Sequence, residues 1–410
     1  MTAAPVTGMA PRLLRGAGAD VSLAEHRRMH GDLPDIAPEW LLRAVDDSGL
    51  TGRGGAGFPA ARKLRSIAGR KNSLIIANGA EGEPASAKDV FLMRRLPHLV
   101  LDGLQVVADA VGSNEVYLAV ASNPARHRLD LAIAERNAAG VDRTRVRVLP
   151  VPDVFLAGEE SALVNAVEGR ASLPRSTPPR VFEKGAFGRP TLVQNVETLA
   201  HIALIARHGA AWFREVGSVE DPGSMLVSIS GAVARPGIAE VARGSSIEQI
   251  IAAAGGLRHA VQAVLVGGYH GTWLTPTTMD FRPGAGVVVA LPTDVCGLVE
   301  TARVVAYLAD QSAQQCGPCL NGLPALASVL GEIARGRSGG RAIGPQVRRA
   351  TELAALVERR GACHHPDGSV RFIRSALSMF ETEIDLHAHG RCSATDRRPF
   401  LPTPGVGGAR

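Results

Sequence analysis

Two groups of residues in this sequence have types and spacings suited to chemistry. The first is a glycine-rich stretch from Ser48 to Leu64, in which Gly52, Gly54 and Gly57 fall at G-x-G-x-x-G spacing with Gly55 beside them. Glycines let backbone N–H groups approach an anionic or planar ligand closely, and Lys63 adds a positive charge a little further on. A dinucleotide fingerprint of that form follows a strand. This one follows a helical segment, so alone it reads equally as a flexible loop. The second group is the cysteines. Five occur, at 296, 316, 319, 363 and 392, an odd number crowded towards one end of the sequence rather than a disulfide framework. Cys316 and Cys319 form a C-x-x-C, which suits a thiol redox pair or half a zinc site. Cys296 reads more plainly as a buried structural cysteine.

Acidic and amide residues stand where elements begin or end. Glu81 and Glu83 follow the strand-like run ending at Asn78, where open α/β sheets bind ligands, or where an acidic turn is simply solvated. Gly158, Glu159 and Glu160 lie at a helix start, where carboxylates are electrostatically favoured and commonly cap. Gln194, Asn195 and Thr198 mark another helix start, and such an N-terminus can hold a phosphate.

The elements that must position these residues follow from pattern. The 410 residues allow two to four domains. A hydrophobic share of 45% with 20% charged residues excludes a disordered chain. The net charge of +6 is scattered without a basic run, so no nucleic-acid partner is expected. No apolar run is long enough to span a bilayer. The first residues lack the apolar core of a secretory signal, and a cytoplasmic location is expected. Strand-like and helical segments alternate up to about residue 222, which predicts an α/β domain over 21–222. A β-rich stretch with one helix predicts a small α+β module over 223–292. Four amphipathic helical segments predict a bundle over 293–390. Residues 1–20 are expected to be disordered, residues 391–410 a loose tail, and the GRSGGRAIGP stretch a loop.

The ordered motifs GRGGAGFP, N-x-x-E-x-E-P, A-G-E-E-x-A-L, E-G-R, PP, G-x-P-T and N-V-E-T-L-A resemble, from about residue 25 to about 385, the NADH-binding flavoprotein subunit of respiratory complex I. The same module occurs in related formate dehydrogenases and hydrogenases. The resemblance implies a Rossmann-like FMN- and NAD-binding domain, a ubiquitin-like β-grasp module and a helical bundle carrying an iron–sulfur cluster. It implies that Gly52, Gly54, Gly55, Gly57, Phe58 and Gly158 line flavin or nucleotide, and that Lys63, Asn78, Glu81, Glu83, Gln194, Asn195 and Thr198 surround FMN. Glu159 and Glu160 flank flavin and nicotinamide and position rather than transfer protons. Cys316, Cys319 and Cys363 match three cluster ligands.

The sequence departs from the family at several points. Ala80 stands where aspartate is usual, Phe155 where tyrosine is usual, and Gln194 where asparagine is usual. Arg180 replaces an aromatic residue beside the adenine; it pairs with a 2′-phosphate, stacks on the adenine, or stands exposed in a loop that no longer binds nucleotide. Ala313 occupies the position of the first cluster cysteine. The fourth ligand is then Ser312, His364, Cys392 or solvent, or the position is vacant, and a three-iron form is an expected product. The implied function is hydride transfer from NAD(P)H to FMN, then single electrons to a 4Fe-4S or 3Fe-4S cluster. A ferredoxin-like or thioredoxin-like iron–sulfur partner takes them onward, with this chain either peripheral to a membrane complex or free of one. A flavin-binding scaffold or an adaptor not reduced directly by NADH is the alternative.

Overall fold

The computed structural model describes residues 2–5, 10–176, 178–278, 281, 283–336 and 343–404. The chain divides into two compact units: Met1–Gly82, Ser86–Ser228 and Gly237–Ser245 form the first, and Glu83–Ala85, Ile229–Pro236 and Ser246–Arg410 the second.

In chain order the first unit holds β1 (Thr2–Pro5), α1 (Leu23–His30), α2 (Pro38–Ser48), α3 (Ala60–Arg65), β2 (Leu74–Gly79), α4 (Lys88–Arg95), α5 (Pro97–Val111), β3 (Val116–Val120), α6 (Asn123–Ala139), β4 (Val146–Pro150), α7 (Glu160–Val167), β5 (Thr191–Asn195), α8 (Val196–Arg214), most of β6 (Ser224–Gly231) and β7 (Gly237–Ala242). Strands β2 to β5 form one parallel sheet in the order β4-β3-β2-β5. Both its faces are covered, which is why LIIA and VYLAV read as nearly continuous apolar runs. Alternation still sorts the side chains. Ile75 and Ala77 enter a large core with Leu99, Leu104, Leu199 and Ile202, whereas Leu74 and Ile76 pack with Leu163 and Val164. Pro97 sits at the first turn of α5, where its missing N–H costs nothing. Gly49 ends α2 at φ 71, a left-handed conformation that glycine adopts freely. Helices α5 and α8 cross at Gly103, where a Cβ would lie 2.1 Å from the Leu199 carbonyl oxygen.

The sheet order fixes where ligands bind. The chain moves from β2 outward to β3 and β4, then returns to β5 on the opposite side of β2. The crevice between β2 and β5 at their carboxyl ends is therefore the topological switch point.

The start of the chain departs from the disordered segment expected over 1–20. β1 pairs parallel with β7. Leu13 and Leu14 are buried. The buried Glu240 carboxylate accepts the backbone N–H groups of Arg12, Leu13 and Leu14 at 2.9–3.1 Å. The pairing of β1 with β7 also gives β7 to the first unit, so the unit boundary falls inside β6 rather than at 222.

In the second unit, β10 (Val287–Pro292) and β9 (Thr272–Leu274) pair antiparallel on either side of β8 (Val261–Val266). α9 (Ile247–Ala253) begins at a Ser246–Gln249 capping box and buries Ile247, Ile250 and Ile251. Then follow α10 (Gly297–Asp310), a π-helical turn at Pro318–Gly322, α11 (Leu323–Arg335), α12 (Gly344–Val357), α13 (His365–Met379) and α14 (Glu381–Ala388). The sequence pattern reads the last two as one helix. They break at Phe380, whose ring fills the space beside Gly297: a Cβ there would meet the ring at 2.1 Å. Most of the predicted GRSGGRAIGP loop, residues 337–342, lies outside the described residues.

The loose tail expected from 391 is also corrected over its described part. The Glu300 carboxylate accepts the N–H groups of Phe400 and Leu401 at 3.2 and 2.7 Å. The Tyr269 hydroxyl donates to the Pro402 carbonyl at 2.5 Å, and Leu401 is buried. Among the described residues, no helix is long and apolar enough to cross a membrane.

Candidate functional site

At the switch point Asn78 of β2 stands in register with Asn195 of β5. The Asn78 side chain donates to the Gly158 carbonyl at 2.8 Å and accepts from the Ala80 N–H at 3.1 Å. Gly158 is pressed against this turn; a Cβ there would lie 2.7 Å from the Ala80 carbonyl oxygen. The next residue, Glu159, caps α7 by accepting the N–H groups of Ser161 and Ala162 at 2.9 and 3.0 Å. Burial raises its pKa above the ordinary carboxylate range, and these hydrogen bonds oppose that rise. Glu160 opens α7 and is ion-paired with Lys63 of α3.

Asn195 caps α8. Its side-chain oxygen accepts the Glu197 and Thr198 N–H groups at 2.9 and 3.4 Å, and its amide donates to Asp89 at 2.7 Å. The Thr198 hydroxyl is buried and accepts the Arg53 N–H at 2.9 Å, so it holds the glycine turn in place. That turn is closed by a bridge between Thr51 and Pro59 and by the Gly52 N–H on the Phe58 carbonyl at 2.8 Å. Gly54 packs on Asn195, with a would-be Cβ 3.4 Å from the Asn195 Cβ. Gly54, Gly55, Gly57 and Phe58 are exposed, and the Arg62 guanidinium lies 5.5 Å from the Phe58 ring centroid.

A flavin mononucleotide offers an anionic phosphate and a planar ring. The residues present fit it: a lysine, the N-terminus of α8 and an exposed side-chain-free turn converge beside two amide side chains. The Arg53 guanidinium beneath the turn is buried, and its Nη2 has no hydrogen-bond partner among the described residues.

Other predicted residues are engaged elsewhere. Glu81 is half-buried and accepts from Ser86 Oγ and from the Asp89 and Val90 N–H groups, so it organises the start of α4. Burial, reinforced by Asp89, pushes its pKa up to about 7. Glu83 belongs to the second unit, where it accepts the Tyr269 N–H at 2.7 Å. Gln194 is buried within β5. Arg180 is exposed, its N–H donating to Glu183 at 3.1 Å. Its neighbours Pro179 and Val181 line a cavity of about 490 Å³ with Arg170, Arg175 and Lys184.

Sequence reasoning missed the charged layer behind the crevice. Lys88 is buried between Asp89 and Glu197, 2.8 Å from each. Arg53 donates to the Ser224 carbonyl at 3.2 Å, and burial lowers its pKa to about 10. Glu197 lies inside the N-V-E-T motif, the one signal available. Lys88 and Asp89 carry none.

In the second unit, Cys316 and Cys319 bring their sulfurs to 3.6 Å. Burial works to raise the Cys316 thiol, but hydrogen bonds from the Ala362 and Cys319 N–H groups and the Cys319 thiol hold it below the ordinary range. Burial, Cys316 and Cys363 push Cys319 up to about 12. The Ala362–Cys363 segment thus packs beside the C-x-x-C, and Cys363 is the third sulfur that an iron–sulfur cluster there would take. Ser312 Oγ is buried without a hydrogen-bond partner among the described residues. The His364 side chain is fully exposed. Cys392 sits with Cys296, Glu383 and His387 instead.

Comparison with known proteins agrees with this geometry. Residues 45–204 match the Nuo51 FMN-binding domain, residues 226–267 the SLBB domain, and residues 300–387 the NADH-ubiquinone oxidoreductase-F iron-sulfur binding region. The chain is 30% identical over 396 residues to the second F-type subunit of NADH-quinone oxidoreductase of Rhizobium meliloti, covering 89% of this chain and 93% of that one. It is 30% identical to the F-type subunit of NADH-quinone oxidoreductase of Escherichia coli, covering 91% of each. Its fold is similar to a chain of the NAD+-reducing [NiFe]-hydrogenase in the air-oxidised state, with TM-score 0.82 and 29% identity over 96% of this chain and 69% of that chain. In the H2-reduced state of such a hydrogenase the match has TM-score 0.79 and spans 62% of that chain. An FMN crevice at a sheet switch point, an SLBB segment and a cysteine-bearing bundle thus occur in one order over most of the chain, which belongs to the family of F-type NADH-quinone oxidoreductase subunits.

Proposed function

We propose that this chain oxidises NADH at the crevice between β2 and β5 and passes single electrons, through a cluster held by Cys316, Cys319 and Cys363, to an iron–sulfur partner protein. The observation that carries the reading is the register of Asn78 against Asn195 at the switch point, where Lys63, the glycine turn and the starts of α7 and α8 meet. When bound there, FMN supplies the conversion between two-electron hydride chemistry and one-electron transfer.

The chain's own residues bind and orient. Lys63 and the N-terminus of α8 counter phosphate charge. The exposed glycine turn allows a ring to approach the backbone. Glu159 is committed to capping α7 and Glu160 to Lys63, so both fix geometry and neither transfers a proton. Three cysteines stand where a cubane normally takes four. Ser312, whose hydroxyl has no hydrogen-bond partner among the described residues, or solvent supplies the fourth ligand.

Anaerobic titration of the flavin-loaded chain, followed by flavin absorbance, tests the reading. Bleaching by NADH is the expected result. The exposed Arg180 and the Ala313 substitution favour a second reading, an adaptor reduced only through its partner. Flavin that stays oxidised with NADH yet bleaches with a reduced iron–sulfur protein would establish that reading in place of the first.

A further inference from the structure

A second set of metal-ligating side chains in the second unit takes no part in the cluster of Cys316, Cys319 and Cys363. Cys296 immediately precedes α10. Glu383 and His387 stand one turn apart on α14, and Cys392 follows that helix. Cys296 Sγ is 3.6 Å from His387 Nε2 and 3.8 Å from Glu383 Oε1, and Nε2 and Oε1 are 3.1 Å apart. With Cys392 Sγ included, all four donor atoms lie within 4.8 Å of one another. Donors about 2.0–2.3 Å from a central ion at tetrahedral corners stand about 3.3–3.8 Å from each other. The two spacings from Cys296 fall within that range, the Nε2–Oε1 spacing lies just under it, and all four donors are within reach of one ion.

The surrounding groups orient the donors. His387 Nδ1 lies 3.3 Å from the Ile333 carbonyl, which places the ring proton on Nδ1 and leaves the Nε2 lone pair facing the sulfurs. Ser393 donates its N–H and hydroxyl to Glu383 at 3.0 and 2.5 Å, fixing the carboxylate. Cys296, Glu383 and His387 are buried and Cys392 is half-buried, so three of the four donors are withdrawn from solvent, as in structural sites. Two sulfurs and an imidazole are too soft for magnesium or calcium. Four mixed N, O and S donors in a compact closed shell favour zinc.

We propose that Cys296, Glu383, His387 and Cys392 bind one Zn2+ in a structural, four-coordinate site. Binding releases the two thiol protons to solvent, and no electron is exchanged. The site ties the start of α10 to α14 and so closes the stretch of chain that carries all three cluster cysteines. It also removes Cys392 from the candidates for the fourth cluster ligand.

Metal analysis of the full-length protein, produced with both zinc and iron supplied, tests this. The expected result is close to one zinc per chain beside the cluster iron. Cys392→Ser and His387→Ala should lower zinc affinity about tenfold or more, with acid-labile sulfide unchanged. Cys316→Ser should lower iron and sulfide and leave zinc in place. A variant that fails to fold leaves a second measurement on the unmodified chain: cobalt loaded in place of zinc should give the ligand-field and charge-transfer bands of a tetrahedral thiolate site. Absence of zinc and of those bands in folded protein overturns the proposal. So does zinc lost on Cys316→Ser but kept on Cys392→Ser, or a Cys296–Cys392 disulfide in the mass of the native protein.

Discussion

Lys63 illustrates how one side chain can serve twice. It pairs with Glu160 at the start of α7, and in the proposed function it also supplies positive charge to the crevice. Lys63→Ala should weaken FMN binding by about 1.5–3 kcal/mol, because a charge-assisted contact is lost and Glu160 is left without its cation. Fluorescence titration of FMN into the apoprotein measures this, and an unchanged Kd would remove Lys63 from the site. Glu81 makes a prediction about pH. Its folded pKa, pushed up to about 7, lies above the ordinary value of 4.5. The folded state therefore holds this proton more tightly than the unfolded chain. The stability contributed by Glu81 is complete below about 4.5 and is lost as pH rises through about 7. Glu81→Gln should flatten that part of the stability curve relative to the wild type, as read by Tm at several pH values. Arg180→Phe should move preference towards NADH by about tenfold if a 2′-phosphate pair is what Arg180 provides. An unmoved ratio of reduction rates with NADH and NADPH excludes that role.

Among the elements, the crossing of α5 and α8 at Gly103 controls the site from a distance. The start of α8 carries Asn195 and Thr198, and α5 can approach it because residue 103 has no side chain. Gly103→Ala should cost about 1–3 kcal/mol by overpacking and weaken FMN binding as α8 shifts. Thermal melting and flavin titration read the two effects separately, and a variant with wild-type Tm and Kd would show that the helices yield freely. Helices such as α2 and α5 were legible in the sequence because proline opens them, glycine closes them and apolar residues recur at helical spacing. The split of α13 from α14 was not, since it depends on Phe380 finding room beside Gly297, far away in sequence. The glycine turn, the two helix caps and the C-x-x-C were legible for the same local reason. The layer of Lys88, Asp89, Glu197 and Arg53 was illegible, because its partners meet only after β2 and β5 are side by side. Cys296 and Cys392 carried no spacing signal either; the fold alone brings them together.

Taken whole, this F-type member of the NADH-quinone oxidoreductase subunits combines FMN-binding and iron–sulfur regions in one chain, as an NADH-oxidising electron-transfer protein. Its first unit is anchored at its very start. Glu240 is wholly buried and satisfies three backbone N–H groups as well as the Ser224 hydroxyl. Glu240→Ala should destabilise the first unit by about 3 kcal/mol or more, since each donor left unsatisfied costs about 1–3 kcal/mol. Denaturant unfolding followed by flavin release measures it, and an unchanged midpoint would mean that water replaces the carboxylate. Composition could not reveal this anchor, because Glu240 lies over two hundred residues from the segment it holds.

The strap of chain from Thr395 to Pro402 bears on how the protein meets proteases. Thr395 and Asp396 donate their N–H groups to the Asp294 carbonyl, and Phe400, Leu401 and Pro402 are fastened to Glu300 and Tyr269. Between these fastenings stands exposed Arg397, whose bond to Arg398 trypsin would ordinarily accept; the next bond, from Arg398 to Pro399, resists trypsin in any conformation. Cleavage requires the backbone to peel into an extended strand, which here means breaking hydrogen bonds on both sides of the target. Brief digestion of the native protein should spare the Arg397–Arg398 bond while exposed arginines elsewhere are cut. Glu300→Ala should open it, converting a resistant joint into an early nick.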